Sequence, residues 1–136
     1  MKQLKIIPSD YICQLWDEIK HYFEKVSETG TSDYTVEQIK YLLVQGKQIL
    51  FVIMDEEKLI GTFTVEVLNY PNHRVAHTTS MGGKGLFDKD TVKQYEDWAR
   101  SQGVNKIRAF ALEAQARLYR IKMGLNMVTH VVEKTI

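Results

Sequence analysis

Three strand patterns follow one another in the middle of the chain, separated only by short polar turns. They cover residues 48–54, 59–68 and 74–81. The second pattern alternates apolar and polar side chains over its later half, which is the period of a strand with one buried face. Strands that are joined in sequence by short turns pair antiparallel. The middle of the chain therefore predicts an antiparallel meander, and the remaining elements must pack against it.

A short strand and two helical patterns precede the meander. The strand candidate is residues 4–7, after which Ser9 or Asp10 can cap a helix. The second helix begins with the capping-box pattern of Thr35 and Gln38. The first helix carries one apolar stripe at helical spacing, made of Ile12, Leu15, Trp16, Ile19, Phe23 and Val26.

Helices and strands alternate after the meander. Asp88 or Asp90 can cap a third helix, which is followed by a strand at 104–112, a helix at 113–122 and a last strand at 127–136. A strand-helix-strand connection favours a parallel pair inside an otherwise antiparallel sheet. We therefore predict an α/β (α+β) fold, with a mixed, mostly antiparallel sheet flanked by helices on both faces.

Composition narrows the class of protein. The 136 residues show no linker or repeat, so residues 1–136 are predicted to form a single domain. A net charge of +1, from 18 basic and 17 acidic side chains, argues against a dedicated nucleic-acid binder. The single cysteine and the lack of a long apolar run predict a cytoplasmic protein without a membrane segment. No group of His, Cys, Asp or Glu has the spacing of a metal site.

A glycine-rich segment lies between the third meander strand and the next helix. It runs Met81-Gly82-Gly83-Lys84-Gly85-Leu86-Phe87-Asp88. Glycines allow close approach of the backbone to an anion, and a helix start offers unpaired amides to a phosphate. The segment lacks the spacing of a Walker loop. It is either a phosphate-binding loop or a plain strand-helix turn.

The order of elements resembles the GNAT acetyltransferases over essentially the full length of the chain. In that family the loop after the fourth strand reads Gln/Arg-x-x-Gly-x-Gly/Ala and holds the pyrophosphate of acetyl-CoA. Here Gly85 fits the central glycine, Gly82 replaces the Gln or Arg, and Phe87 replaces the small last residue. The resemblance implies that acetyl-CoA contacts the segment formed by Thr79, Ser80, Met81, Gly82, Gly83, Lys84, Gly85, Leu86, Phe87 and Asp88, with the first three lining its pantetheine arm through their backbone.

A second resemblance lies in the last helix. GNAT proteins often read Asn-x-x-Ala-x-x-Leu-Tyr-x-Lys-x-Gly-Phe there, and Ala116, Lys122 and Gly124 match in register. In the family the tyrosine lies near the sulfur of CoA and can protonate the leaving thiolate. Tyr119 is the candidate for that role, although it stands one residue early. The alternative is an aromatic side chain at the edge of the core.

Acetyl transfer to an amine needs a group that takes up the amine proton. Glu66 and His77 lie on neighbouring meander strands and are the two candidates. Each is also explained by an ordinary polar position on a strand. The resemblance places the acceptor between the turn at 27–34 and the last strands.

The predicted function is therefore an acetyl-CoA-dependent N-acetyltransferase, in which an amine attacks the thioester directly. The acceptor is expected to be an amine on a small molecule or a protein. A homodimer agrees with the resemblance, because GNAT proteins are often dimers, and small divergent chains of this kind resemble phage or prophage accessory proteins. The alternatives are a GNAT-fold binding or regulatory module without catalysis, and an α+β domain unrelated to acyl transfer.

Overall fold

The fold was obtained as a computed structural model, which describes residues 1–28 and 33–136. A short 3-10 turn (Ser9–Tyr11) precedes the first helix. The strands are β1 (Lys2–Ile7), β2 (Ile49–Asp55), β3 (Lys58–Asn69), β4 (Arg74–Gly83) and β5 (Lys106–Ala109). The helices are α1 (Ile12–Glu28), α2 (Val36–Val44), α3 (Lys89–Ser101) and α4 (Glu113–Met123).

The five strands form one sheet in the order β1-β2-β3-β4-β5. The first four pair antiparallel, while β4 and β5 are parallel. The connection from β4 to β5 is α3, as a parallel neighbour requires. The predicted mixed, mostly antiparallel sheet with helices on both faces is therefore confirmed.

The sheet separates two apolar clusters because successive strand side chains point to opposite faces. On β2, Leu50 and Val52 pack with α2 and with buried side chains of α1, which are Ile12, Trp16, Ile19 and Phe23. Phe51 and Ile53 point the other way and pack against α3, together with Phe63 of β3. We call these two sides the α1/α2 face and the α3 face.

The starts of the helices follow the predictions in two cases out of three. Thr35 and Gln38 form the capping box of α2, with the Thr35 hydroxyl accepting from the Gln38 amide at 3.2 Å. Asp88 rather than Asp90 caps α3. The expectation that Ser9 or Asp10 caps the first helix is wrong, because both lie inside the 3-10 turn that leads into α1.

The C-terminal part of the chain differs from the prediction. The strand expected at 104–112 is limited to β5, which pairs with β4 over four residues. The last strand, expected at 127–136, is wrong: no helix or strand is formed after α4. That stretch has many β-branched residues, but a strand needs a partner edge, and the stretch pairs with no strand of the sheet.

Among residues 1–28 and 33–136, no helix has the length and apolar character needed to cross a membrane.

Candidate active site

A β-bulge interrupts the pairing of β3 and β4 near the middle of the sheet. Thr64 lies opposite Ser80 and Val65 opposite Thr78, so Thr79 is one extra residue on β4. Such a bulge bends the strand that carries it and re-aims the side chains that follow. The two halves of β4 therefore point in different directions.

The parallel pairing of β4 with β5 stops at the same place. It runs from Val75 opposite Lys106 to Thr78 opposite Ala109, and β4 then continues to Gly83. Within the described part of the chain, no strand pairs with that side of β4 beyond Thr78. The backbone of Thr79, Ser80 and Met81 thus borders an opening between the two strands, which is where an extended ligand could add hydrogen bonds.

Buried polar side chains fix the bulge. The Thr79 hydroxyl donates to Gln48 Oε1 at 3.1 Å and lies 2.6 Å from the Thr64 hydroxyl. Gln48 is also hydrogen-bonded to Tyr34. Gln48 and Thr64 are buried. The sequence did not reveal Gln48 or Thr64 as site residues, because their contact depends on which residue of β4 forms the bulge, whereas Tyr34 belongs to the turn at 27–34 that was expected to border the acceptor.

The two predicted base candidates lie directly opposite each other. Glu66 of β3 pairs with His77 of β4, and both side chains point to the α1/α2 face. His77 is buried, and its Nδ1 has no hydrogen-bond partner among the described residues. The ring of Phe110 stands edge-on at 4.7 Å. Facing strands therefore bring together two groups that the sequence named separately.

The environment of His77 favours its neutral form. Burial is the main cause that lowers the pKa of His77. The positive charge of Arg108, which pairs with His77 from β5, lowers the pKa further, while the negative charge of Glu66 raises it. The same carboxylate acts on Tyr34, whose pKa is raised by burial and by the nearby Glu66. A neutral imidazole beside a carboxylate can take up a proton at neutral pH.

Tyr119 lies on the other side of the opening. Its hydroxyl is 3.8 Å from the sulfur of Met81, which points to the α3 face of β4. Burial raises the pKa of Tyr119, so the phenol remains protonated at neutral pH. The structure therefore places Tyr119 next to the part of β4 that pairs with no strand on its β5 side, but on the opposite face of the sheet from Glu66 and His77.

The three glycines of the predicted phosphate loop are glycine for different structural reasons. A Cβ at Gly82 would lie 2.5 Å from the carbonyl oxygen of Tyr22 in α1, and a Cβ at Gly83 would lie 2.6 Å from that of Ile60. These two glycines permit close packing. Gly85 has φ +60°, and a Cβ there would meet only Lys2 Nζ at 3.9 Å, so its backbone faces open space.

The other loop residues divide between the core and the surface. The side chains of Leu86 and Phe87 pack into the α3-face cluster, with the Phe87 ring 5.4 Å from that of Phe63. They can therefore contribute only backbone groups to a ligand. Lys84 is exposed. Of the predicted cofactor residues, Gly85 and Lys84 are the ones best placed for an anion.

The start of α3 already holds a negative charge. The Asp88 carboxylate accepts from the Thr91 amide at 2.9 Å, and this hydrogen bond is the main cause that lowers the pKa of Asp88. Lys2 donates to the Gly85 carbonyl and lies 3.8 Å from Asp88. A phosphate at this loop would therefore meet the amides around Gly85 and the two lysines, with one carboxylate opposing it.

The predicted acceptor region is described only in part. Tyr34 is hydrogen-bonded to Gln48 beside the bulge, while residues 29–32 lie outside the described residues.

No group of metal-ligating side chains is present in the part of the chain that the structure describes.

Acid is expected to destabilise the fold through His77. Because its folded pKa lies below the ordinary 6.5, the unfolded chain binds the extra proton first, and stability falls as the pH drops from about 6.5 through the folded pKa. Urea unfolding from about pH 7.5 down to about pH 5 measures this loss. A His77→Gln variant should lose less stability than the wild type over that range. Equal losses in the two proteins would contradict the buried, neutral state of His77.

The chain has the fold that the resemblance implied, because solved structures of acetyltransferases share it over almost their whole length. No protein-family model matches the chain, and no curated protein matches its sequence significantly.

Three of the similar structures illustrate the agreement. An aminoglycoside acetyltransferase from an uncultured soil metagenomic sample, solved in complex with sisomicin, is 16% identical, with 99% of this chain and 97% of that chain covered and a TM-score of 0.68. A predicted acetyltransferase from Clostridium acetobutylicum, solved with acetyl-CoA, is 13% identical, with 99% and 96% covered and a TM-score of 0.64. An acetyltransferase from Trypanosoma brucei is 13% identical, with both chains fully covered and a TM-score of 0.63. At these identities the likeness establishes the fold.

Proposed function

We propose that the protein is an acetyl-CoA-dependent N-acetyltransferase, in which an amine attacks the thioester directly. The observation that carries this proposal is the opening beside the β4 bulge. A protonated phenol, Tyr119, stands on one side of it, and a neutral imidazole, His77, stands beside Glu66 on the other. A donor and an acceptor of protons on opposite faces suit a reaction that needs both.

The residues around the opening fit a CoA thioester. The free edge of Thr79, Ser80 and Met81 supplies backbone donors and acceptors to the amide-rich pantetheine arm. The hydroxyl of Ser80 is buried and has no partner among the described residues, so it too is available to a ligand. The backbone around Gly85, with Lys84 and Lys2, would hold the pyrophosphate.

The reaction assigns one role to each side chain. The amine nitrogen forms a bond to the thioester carbon while the bond from that carbon to sulfur breaks. His77 takes up the proton that the nitrogen loses, and Glu66 stabilises the resulting imidazolium. Tyr119 gives its proton to the departing thiolate. Protons and electrons then balance, and exchange with water restores both side chains.

The acceptor is an amine on a small molecule or a protein. Glu66 gives the α1/α2 face of the site a negative charge, which attracts a cationic amine before it loses its proton. The similar structure with sisomicin holds an amine-rich ligand in the same fold. Both observations favour a polar amine over an apolar acceptor.

Calorimetric titration with acetyl-CoA tests the proposal. We expect binding of acetyl-CoA and of free CoA, followed by release of the CoA thiol when a panel of small amines and lysine peptides is added. A folded protein that binds neither ligand at millimolar concentration would exclude the proposed activity.

A second candidate is a binding or regulatory module that keeps the fold without catalysis. The observation that favours it is Asp88, whose carboxylate occupies the helix start to which a phosphate would bind. Binding of acetyl-CoA without thiol release in the presence of any amine of the panel would identify this module.

A further inference from the structure

Three adjacent strands carry a row of titratable and charged side chains on the α1/α2 face of the sheet. Glu66 of β3 lies opposite His77 of β4, and His77 lies opposite Arg108 of β5. Residues paired in this way point to the same face, and the charges of Glu66 and Arg108 both act on His77. Neighbouring strands are about 4.8 Å apart, so the row spans roughly 10 Å. A carboxylate and a guanidinium therefore stand at its two ends, with the imidazole between them.

The charge of Arg108 is left without a partner in this row. The side chain is half-buried, yet within residues 1–28 and 33–136 its guanidinium forms no ion pair and donates no hydrogen bond. Its contact is with the ring of Tyr70, whose centroid lies 5.7 Å from Cζ. A guanidinium presents its N–H donors as a flat fork that matches a carboxylate. A half-buried fork without an acceptor therefore points to a ligand.

The row lies at the edge of the opening beside the β4 bulge. Arg108 is the residue before Ala109, where the pairing of β5 with β4 ends. Tyr70 directly follows the end of β3, on the side of the row away from the opening. The contact with Tyr70 draws the guanidinium toward the turn between β3 and β4. A ligand that reaches from the opening to Arg108 therefore passes His77 first.

Two exposed aromatic rings flank the row. Phe110 stands edge-on to His77 with the ring centroids 4.7 Å apart, and Tyr70 lies under Arg108. Their exposed fractions are 62% and 44%, so each ring has a surface left for a ligand. Lys106 is exposed and shares the face of Arg108, because both alternate with Ile107 on β5. The row is therefore negative at the β3 end and positive at the β5 end, with apolar surface beside it.

We infer that the acceptor is a small amine that also carries a carboxylate several bonds away, with the amine against His77 and Glu66 and the carboxylate on Arg108. This inference rests on the proposed function and leaves the transfer step as described there, since the carboxylate does not react. Both ends of such an acceptor meet an opposite charge, whereas a diamine would place its second ammonium beside Arg108. A separation of about 5–10 Å between amine and carboxylate corresponds to one or two strand spacings.

Binding of three amines of equal chain length tests the inference. One end of each is an amine; the other end is a carboxylate in δ-aminovaleric acid, a hydroxyl in aminopentanol and a second ammonium in cadaverine. Each is titrated into the full chain, and binding is followed by NMR. We expect δ-aminovaleric acid to bind at least about tenfold more tightly than the other two. Equal or weaker binding of δ-aminovaleric acid, or none at about 50 mM, overturns the inference.

Variants of Arg108 assign the preference to one side chain. Arg108→Gln should abolish the preference for the carboxylate, and Arg108→Glu should reverse it in favour of cadaverine. The preference is a ratio measured within one protein, so a change in stability does not produce it. The matched control is Arg100→Gln, which removes the same charge from α3 on the other side of the sheet and should keep the wild-type preference. A preference that persists in Arg108→Gln, or that disappears in Arg100→Gln, overturns the inference.

Release of the CoA thiol from acetyl-CoA separates this inference from the proposed function. Selective turnover of δ-aminovaleric acid supports both. Turnover of aminopentanol or cadaverine with an equal or higher kcat/KM supports the transferase and overturns the carboxylate site. Selective binding of δ-aminovaleric acid without thiol release from any of the three amines supports the site at Arg108 and overturns the acetyl transfer.

Discussion

A Tyr119→Phe variant is expected to transfer acetyl groups about 10²–10⁴-fold more slowly than the wild type, which is the range that a general acid contributes. The phenol is the group that we assign to the leaving thiolate. Burial raises the pKa of Tyr119 above its ordinary value, so the phenol carries its proton at neutral pH. Phenylalanine keeps the aromatic ring and removes only the hydroxyl, which lies 3.8 Å from the sulfur of Met81. The variant should therefore bind acetyl-CoA as the wild type does, with the loss confined to kcat.

The matched control is Tyr41→Phe, which removes a hydroxyl from an exposed tyrosine of α2. Its kcat should equal that of the wild type. The pH profile adds a second measurement, because activity that depends on a protonated phenol falls only above the ordinary pKa of about 10. A Tyr119→Phe variant with wild-type kcat would reduce Tyr119 to an aromatic side chain at the edge of the core.

The sequence predicted those parts of the fold that depend on local patterns. Three such features are the apolar stripe of α1, the capping box of Thr35 and the meander strands. Each of them is formed by residues that lie close together along the chain. Periodicity and cap chemistry are enough to find such elements. The order of the elements then predicted how the strands pair, because short turns and a strand-helix-strand connection allow few sheet topologies.

The site was predicted less completely, because it depends on register. Glu66 and His77 were both named, but their pairing follows from the register that the turn between β3 and β4 sets, which no local pattern shows. Gln48, which directly precedes β2, accepts a hydrogen bond from Thr79 of the β4 bulge and could not be found before that bulge was located. A shift of one residue moves every side chain of a strand to the opposite face, so pairs across strands are the last feature a sequence reveals.

For residues 127–136 the local pattern led to a wrong prediction. Their β-branched residues predicted a strand, but no strand of the sheet pairs with them. Strand propensity describes how a side chain fits a pleated, half-buried surface, and does not supply the neighbouring strand.

A Gly83→Ala variant is expected to lower the free energy of unfolding by about 3–4 kcal/mol. Overpacking contributes about 2 kcal/mol of this loss and backbone strain about 1–2 kcal/mol. Gly83 has φ +118°, which side chains rarely adopt. A Cβ there would also lie 2.6 Å from the carbonyl oxygen of Ile60 and 2.8 Å from the Cα of Gly61. Because both neighbours are backbone atoms of β3, they cannot move aside as a side chain would. Urea unfolding measures the change.

Gly85→Ala is the matched variant in the same loop, and it separates packing from ligand binding. Its φ of +60° costs an alanine about 1–2 kcal/mol, but the added methyl group meets open space. If the backbone at Gly85 holds the pyrophosphate, this variant should stay folded and lose affinity for acetyl-CoA, which titration measures. Equal stability of the two variants would contradict the packing of Gly83 against β3. Unchanged affinity in Gly85→Ala would remove Gly85 from the proposed phosphate site, because the methyl group would stand where the phosphate has to approach.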